Sequence, residues 1–226
     1  GEAHSLASKG LALHPLLPAS PQRTQMEMTL HVVLAVSVMT TKGCSVPEVE
    51  QACYRALELS RQADDDLQVF PILSVLFGFY LVSAQFQTAR EMAERLLRLA
   101  EQQPEPLLKL AAHLTLAVVL WQMGELPAAH VHLGQRQRLY SPHDHLKFLQ
   151  FGHDPTMTSL AYAALVLSLL GYPEQARRAG LEAVALSEHL AHPCTHAVTL
   201  HFISQVFRGL RELPIFQAQT EAHLVL

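Results

Sequence analysis

Residues 107 to 140 read LLKLAAHLTLAVVLWQMGELPAAHVHLGQRQRLY, and the architecture of the whole chain follows from them. An apolar segment runs to Met123, is broken at Gly124 and Glu125, and gives way to an amphipathic segment from Leu126 to Tyr140. That is the pattern of a helix, a tight turn and an antiparallel helix. Gly124 suits the helix end because it adopts φ > 0 without steric cost. Pro127 suits the first turn of the second helix, where its missing N–H is not needed. Ala128 and Ala129 are small enough to let the two helices approach closely.

The frame recurs. Leu170-Gly171-Tyr172-Pro173-Glu174-Gln175-Ala176 aligns without a gap on Met123-Gly124-Glu125-Leu126-Pro127-Ala128-Ala129, with the proline one place earlier. Ser83-Ala84-Gln85-Phe86-Gln87-Thr88-Ala89 fits with Ala84 in place of the glycine, and Leu210-Arg211-Glu212-Leu213-Pro214-Ile215-Phe216 fits more loosely. The turn positions 84, 124, 171 and 211 are separated by 40, 47 and 40 residues. A period in this range marks a helical solenoid. The expected fold is therefore all-α, an α-α superhelix of about five antiparallel helix pairs. The pairs fall near residues 20–63, 66–103, 105–140, 156–190 and 193–226, in a single repeat domain over 20–226.

Residues 1–19 carry Gly10, Pro15 and Pro18 without a helical period and read as an irregular lead-in. The start at Gly1, without an initiator methionine, reads as that of a piece of a longer chain. Ser20-Pro21 is an N-cap followed by proline at the first helical position. Ser45 with Glu48 has capping-box spacing ahead of the next helix. Asp64, Asp65 and Asp66 read as a solvated turn and a favourable helix start rather than a cation site. Residues 141–156, SPHDHLKFLQFGHDPT, interrupt the period. Their Leu146, Phe148, Leu149 and Phe151 are expected to dock as an ordered insertion, a plug or a lid near Trp121 and Tyr162.

The chain has 226 residues, enough for a sizeable core, and 50% of them are hydrophobic, which excludes a disordered chain. Only 16% are charged, against roughly 25% in a typical domain. The net charge is −4 and the basic residues form no cluster, so nucleic acid is not the expected partner. The apolar runs fall short of a bilayer span, and the first twenty residues lack a signal-peptide pattern. Cys44, Cys53 and Cys194 form no C-x-x-C pair and suit a reducing, cytoplasmic compartment.

No P-loop, dinucleotide fingerprint or nucleophile elbow occurs, and no Glu-x-x-His pattern repeats. The chain is read as non-catalytic, with no cofactor. Fourteen histidines include His130/His132, His143/His145, His153, and His189/His192/His196 near Cys194. Spacing alone favours surface and loop histidines over a zinc site, because His-x-His on a helix points its rings to different faces. Asp154 is placed to cap the helix that follows it.

The first helices of the pairs are expected to line a concave face. On the alignment above, Gly78, Leu81, Leu114, Val118, Trp121 and Gln122 belong to it. So do Ala161, Leu165, His201, Gln205 and Arg208, with Tyr162 and Phe151 beside them. Most are apolar. The face is read as closed on itself, as a groove for a protein or peptide segment, or as a pocket for a small apolar effector.

The frame resembles tetratricopeptide repeats. More closely, four groups of residues resemble the C-terminal helical region of bacterial regulators that join a class III adenylate cyclase domain to a predicted AAA/STAND-type ATPase. They are Thr41-Lys42-Gly43 with Val46-Pro47-Glu48-Val49-Glu50; Phe79-Tyr80-Leu81-Val82 with Gln87-Thr88-Ala89-Arg90-Glu91-Met92-Ala93; Phe151-Gly152-His153-Asp154-Pro155; and Leu169 to Ala176. They spread over most of residues 20–216. The resemblance implies that ATP-binding and cyclase chemistry lie upstream of this chain. It also implies that the chain is an interaction and regulatory module, with the attached ATPase among its partners. The departures are plain. His113 stands where the repeat consensus has Trp, and the helices are longer than those of a 34-residue repeat. The peptide-clamp residues of chaperone-binding members therefore do not carry over.

Overall fold

The computed structural model describes residues 2–61, 69–139, 155–190, 192–212, 214–218 and 221. Among them there is no strand. Among the described residues eleven α-helices have assigned bounds: α1 (Glu2–Leu13), α2 (Pro21–Lys42), α3 (Pro47–Ser60), α4 (Val69–Val82), α5 (Phe86–Glu101), α6 (Pro106–Gln122), α7 (Leu126–Leu133), α8 (Arg136–Leu139), α9 (Pro155–Leu169), α10 (Pro173–His189) and α11 (Pro193–Gly209); residues 214–218 are helical as well. A 3-10 turn, His14–Leu16, joins α1 to α2. The chain divides into two compact units, Gly1–Gln102 and Gln103–Leu226. The expectations for Asp64 to Asp66, the insertion core, Phe148, Phe151 and Asp154 lie outside the described residues.

The four aligned turn positions share one backbone conformation. Ala84, Gly124, Gly171 and Arg211 have φ of 56°, 79°, 85° and 61°. In each case the next residue's N–H donates back across the helix end: Gln85 to Tyr80 O (2.9 Å), Glu125 to Leu120 O (2.9 Å), Tyr172 to Leu167 O (3.0 Å) and Glu212 to Phe207 O (3.0 Å). This is the Schellman closure, which satisfies carbonyls the helix leaves open. Five residues after each turn position, an N–H donates to the carbonyl of the residue that opens the next helix. The pairs are Ala89 to Gln85, Ala129 to Glu125, Ala176 to Tyr172 and Phe216 to Glu212. Ala89, Ala129 and Ala176 are fully buried, so the small side chain sits where the helices touch.

Ala84 adopts the left-handed region without being glycine, at a cost of about 1–2 kcal/mol. Ala84→Gly removes that strain. It also adds unfolded-state freedom, which offsets about 0.4–1 kcal/mol. The strain term is the larger, and the side chain is exposed, so we expect a net gain of roughly 0.5–1 kcal/mol in a urea melt. A midpoint at or below that of the wild type would contradict this assignment.

In the first unit, α1 packs on α2, α2 on α3, α3 on α4 and α4 on α5. The lead-in expected to be irregular is a helix, and the reason is Gly10. A Cβ there would meet Leu30 Cδ2 at 3.0 Å, so the missing side chain lets α1 lie close against α2. A residue read as a breaker thus serves close approach. Arg23 fastens the 3-10 turn by donating to Leu17 O (2.8 Å). Ser20 caps α2 by accepting the Arg23 N–H (3.1 Å), as its position predicts.

The capping box does not form. Val46 precedes α3, no side chain caps it, and Glu48 pairs with Lys42 at 3.1 Å. A Ser45 cap would need the N–H of the second or third residue, and the second is Pro47, which has none.

The core of the first unit includes Val38, Val49, Cys53, Ile72, Leu73, Leu76 and Leu96. Burial pushes the Cys53 thiol up to about 12, which leaves it inert as a nucleophile. One polar chain crosses from α3 to α4. Tyr80 Oη donates to Glu50 (2.6 Å), so Tyr54 Oη supplies the proton in its 2.8 Å contact with Tyr80. Burial, then these two partners, raise the Tyr80 phenol far above its ordinary value.

In the second unit, α6 packs on α7, α9 on α6, α7, α10 and α11, and α10 on α11. Leu200, Ile203, Val206 and Phe207 of α11 meet Leu160 and Ala164 of α9 and Ala183 of α10. Gly180 faces the Phe207 ring, 3.6 Å from where a Cβ would stand. The single helix expected over 126–140 is broken at Gly134 and Gln135, with α8 only four residues long. Glycine costs about 1 kcal/mol against alanine inside a helix. Here the chain closes α7 with Gly134 N–H on His130 O (3.0 Å) and Gln135 N–H on His132 O (3.2 Å).

Candidate functional site

Three first-of-pair helices, α6, α9 and α11, carry an aromatic line across the second unit. Trp121 meets Tyr162 edge to face at 5.4 Å between ring centroids. Tyr162 meets Phe202 at 4.4 Å, and Phe202 meets His201 at 5.2 Å. Such pairs contribute about 0.5–1.5 kcal/mol beyond their burial and hold the rings in fixed orientations. Trp121 and Phe202 stay half-buried. Tyr162 is 9% exposed, and burial pushes its phenol up to about 12.

The remaining expected face residues sort by depth. Leu114, Val118 and Leu165 are each 7% exposed and Ala161 is fully buried, so they belong to the core. Gln122, His201 and Arg208 are exposed and Gln205 is half-buried, its Nε2 3.1 Å from His201 Nε2. What this face offers to solvent is two aromatic edges with polar ends around them, rather than an apolar lining. Gly78 and Leu81 are half-buried on α4, in the first unit. Phe202 was not singled out in the sequence. Its register with Val206 on the face of α11 next to α9 was the available signal.

A second feature lies on the opposite side of α9. At 3.6 residues per turn, Leu160, Ala163 and Leu167 point away from Ala161, Tyr162 and Leu165. They floor a groove of about 320 Å³ walled by α7 and α10, with His130 and Arg178 facing it. The groove borders Gly134, where α7 ends early.

Two of the clustered histidines, His192 and His196, have structural work. His192 is the N-cap of α11, its ring accepting the Thr195 N–H at 3.2 Å. Ser187 donates to Val184 O (2.8 Å), so in its 2.9 Å contact with His196 Nδ1 it accepts, and the imidazole carries the proton on that nitrogen. A hydroxyl committed to a backbone carbonyl and fully buried is not a nucleophile awaiting its base. Among the described residues no three His, Cys, Asp or Glu side chains are arranged to hold a metal ion. Among them, too, no helix is long and apolar enough to cross a membrane.

Paired helices, the repeated left-handed turn and the buried alanine five residues on define a tetratricopeptide-like helical-repeat protein. Solved structures agree. BtubC (BKLC) from P. vanneervenii superposes with a TM-score of 0.72 at 14% identity, covering 98% of this chain and 88% of that one. The putative kinesin light chain of Podosopora anserina, described by its nearly identical TPR-like repeats, gives 0.61 at 16% identity, covering 92% and 96%. A single-substitution variant of that protein matches equally. No protein-family model and no curated relative matches the chain.

Proposed function

We propose that the chain is a non-catalytic protein-interaction module whose second unit binds a segment of a partner protein on the α6–α9–α11 face. The observation that carries this reading is the aromatic line from Trp121 to His201, with half-buried rings beside exposed Gln122, His201 and Arg208. Aromatic anchors ringed by polar groups are what interface centres use. A regulatory role for an attached ATPase or adenylate cyclase in the bacterial cytoplasm is part of the proposal. It rests on the residue resemblances at 41–50, 79–93, 151–155 and 169–176. A pocket for a small apolar effector takes second place, because the apolar members of this face are core residues.

Trp121 is the only tryptophan, so its fluorescence reports on this face directly. Peptides selected by display against the whole chain are expected to shift that emission. Phe202→Ala and Arg208→Glu are expected to weaken them, by about 30-fold for an anchor worth 2 kcal/mol. Selected peptides that bind without moving the Trp121 emission, at equal affinity for both variants, would place the site elsewhere.

A further inference from the structure

Across the α6–α7 hairpin two imidazoles meet head to head. His113 Nδ1 and His132 Nδ1 are 2.9 Å apart, with ring centroids at 5.2 Å and planes inclined by 36°. That centroid separation is what the N···N distance leaves when the two rings lie on one straight line through their nitrogens. The line is the axis of an N–H···N hydrogen bond. Two nitrogens ligating one metal ion would instead point at a common third point. One ring therefore donates and the other accepts, and the accepting nitrogen carries no proton. The contact survives when the pair is neutral and when it holds one extra proton. It cannot survive two, because both nitrogens then present hydrogens to each other.

We propose that His113 and His132 are a proton-operated latch: they hold α7 on α6 while either ring is neutral and release it when both are protonated. Both rings are half-buried, and burial holds the His132 imidazole below its ordinary value. Besides the pair, the charged and titratable residues on the helices that pack here are Lys109 on α6, His130 on α7, Arg136 and Arg138 on α8, and Tyr162 on α9, whose ring lies against Trp121 and Phe202. None of these helices contains Asp or Glu; the nearest carboxylates along the chain are Glu105, ahead of α6, for His113 and Glu125, at the α6–α7 turn, for His132. Across the groove, α10 presents Arg178 and Glu182. The second proton places like charges on two facing rings.

The helix it releases is a weak one. α7 has eight residues, no side-chain N-cap and a glycine at its end. A helix this short depends on tertiary contacts. It also supplies His130 and Leu133 to the groove on α9, which Gly134 borders just past its end, so its release reshapes that groove.

The test is an imidazole ¹⁵N titration of the full chain by NMR, with amide exchange followed across the same pH range. The two rings are expected to titrate as a coupled pair, in two steps more than a pH unit apart, the second below the ordinary histidine value of 6.5. Through that second step, α7 exchange, corrected for its intrinsic rate, should rise at least tenfold while α10 exchange holds. His132→Gln keeps a neutral partner for His113 at every pH and should abolish the rise. His113→Gln should do the same from the other side. Independent titration of the two rings about one midpoint would overturn the proposal. So would α7 exchange that tracks α10 throughout, or a rise that persists in both variants. Should a variant fold poorly, the wild-type titration and exchange decide alone.

Discussion

Phe207→Ala, which removes a fully buried ring from the second unit, is expected to cost about 3–5 kcal/mol. Phe207 has no exposed surface and lies in the cluster formed by α9, α10 and α11. Its ring fills the space that Gly180 leaves open on α10. Truncation removes the transfer energy of the ring and leaves a cavity that the flanking helices close only in part. Domains are stable by about 5–15 kcal/mol, so a loss of this size should be visible as a large drop in the urea midpoint and in the amide protection of α9 to α11. A loss below about 1.5 kcal/mol, the range of a tolerated swap, would mean that the ring is not the centre of this core.

Gly171→Val is expected to cost roughly 1–3 kcal/mol, and for a different reason. A Cβ at Gly171 would meet nothing within 4 Å, so packing does not oppose the substitution. The backbone does. Its φ of 85° is open to glycine and strongly disfavoured for a β-branched residue. Valine must either hold that strain or give up the Tyr172 to Leu167 closure. Gly171→Asn separates backbone from bulk, since asparagine tolerates this region and should lose much less. Equal melting temperatures for wild type and Gly171→Val would show the turn assignment to be wrong. Equal losses for Val and Asn would show that φ is not the cause.

Much of the architecture was legible because its determinants are local. A position requiring φ > 0 marks itself with glycine, and the frame was clear enough to place Ala84 and Arg211 in the same conformation without one. Proline inside a first turn marks a helix start, as at Pro106, Pro127, Pro173 and Pro193. The buried alanines at 89, 129 and 176 follow from the same register, because helices joined by one turn geometry touch at one place.

The turn, the pairing and the all-α class are thus written in the chain itself, each set by interactions within about six residues. Which glycines serve contact rather than conformation emerged only from the packing. Gly10 admits Leu30 and keeps its helix, while Gly134 ends α7 and borders the groove on α9. Depth, too, was settled by packing: Leu114, Val118 and Leu165 share a face with Gln122 and Arg208, yet the first three are core and the last two are surface. The meetings on which the two proposals rest join different helices: Trp121 with Tyr162, Tyr162 with Phe202, and His113 with His132. Side chains on different helices meet only when the crossing and rotation of those helices bring them together, and no local preference encodes that geometry.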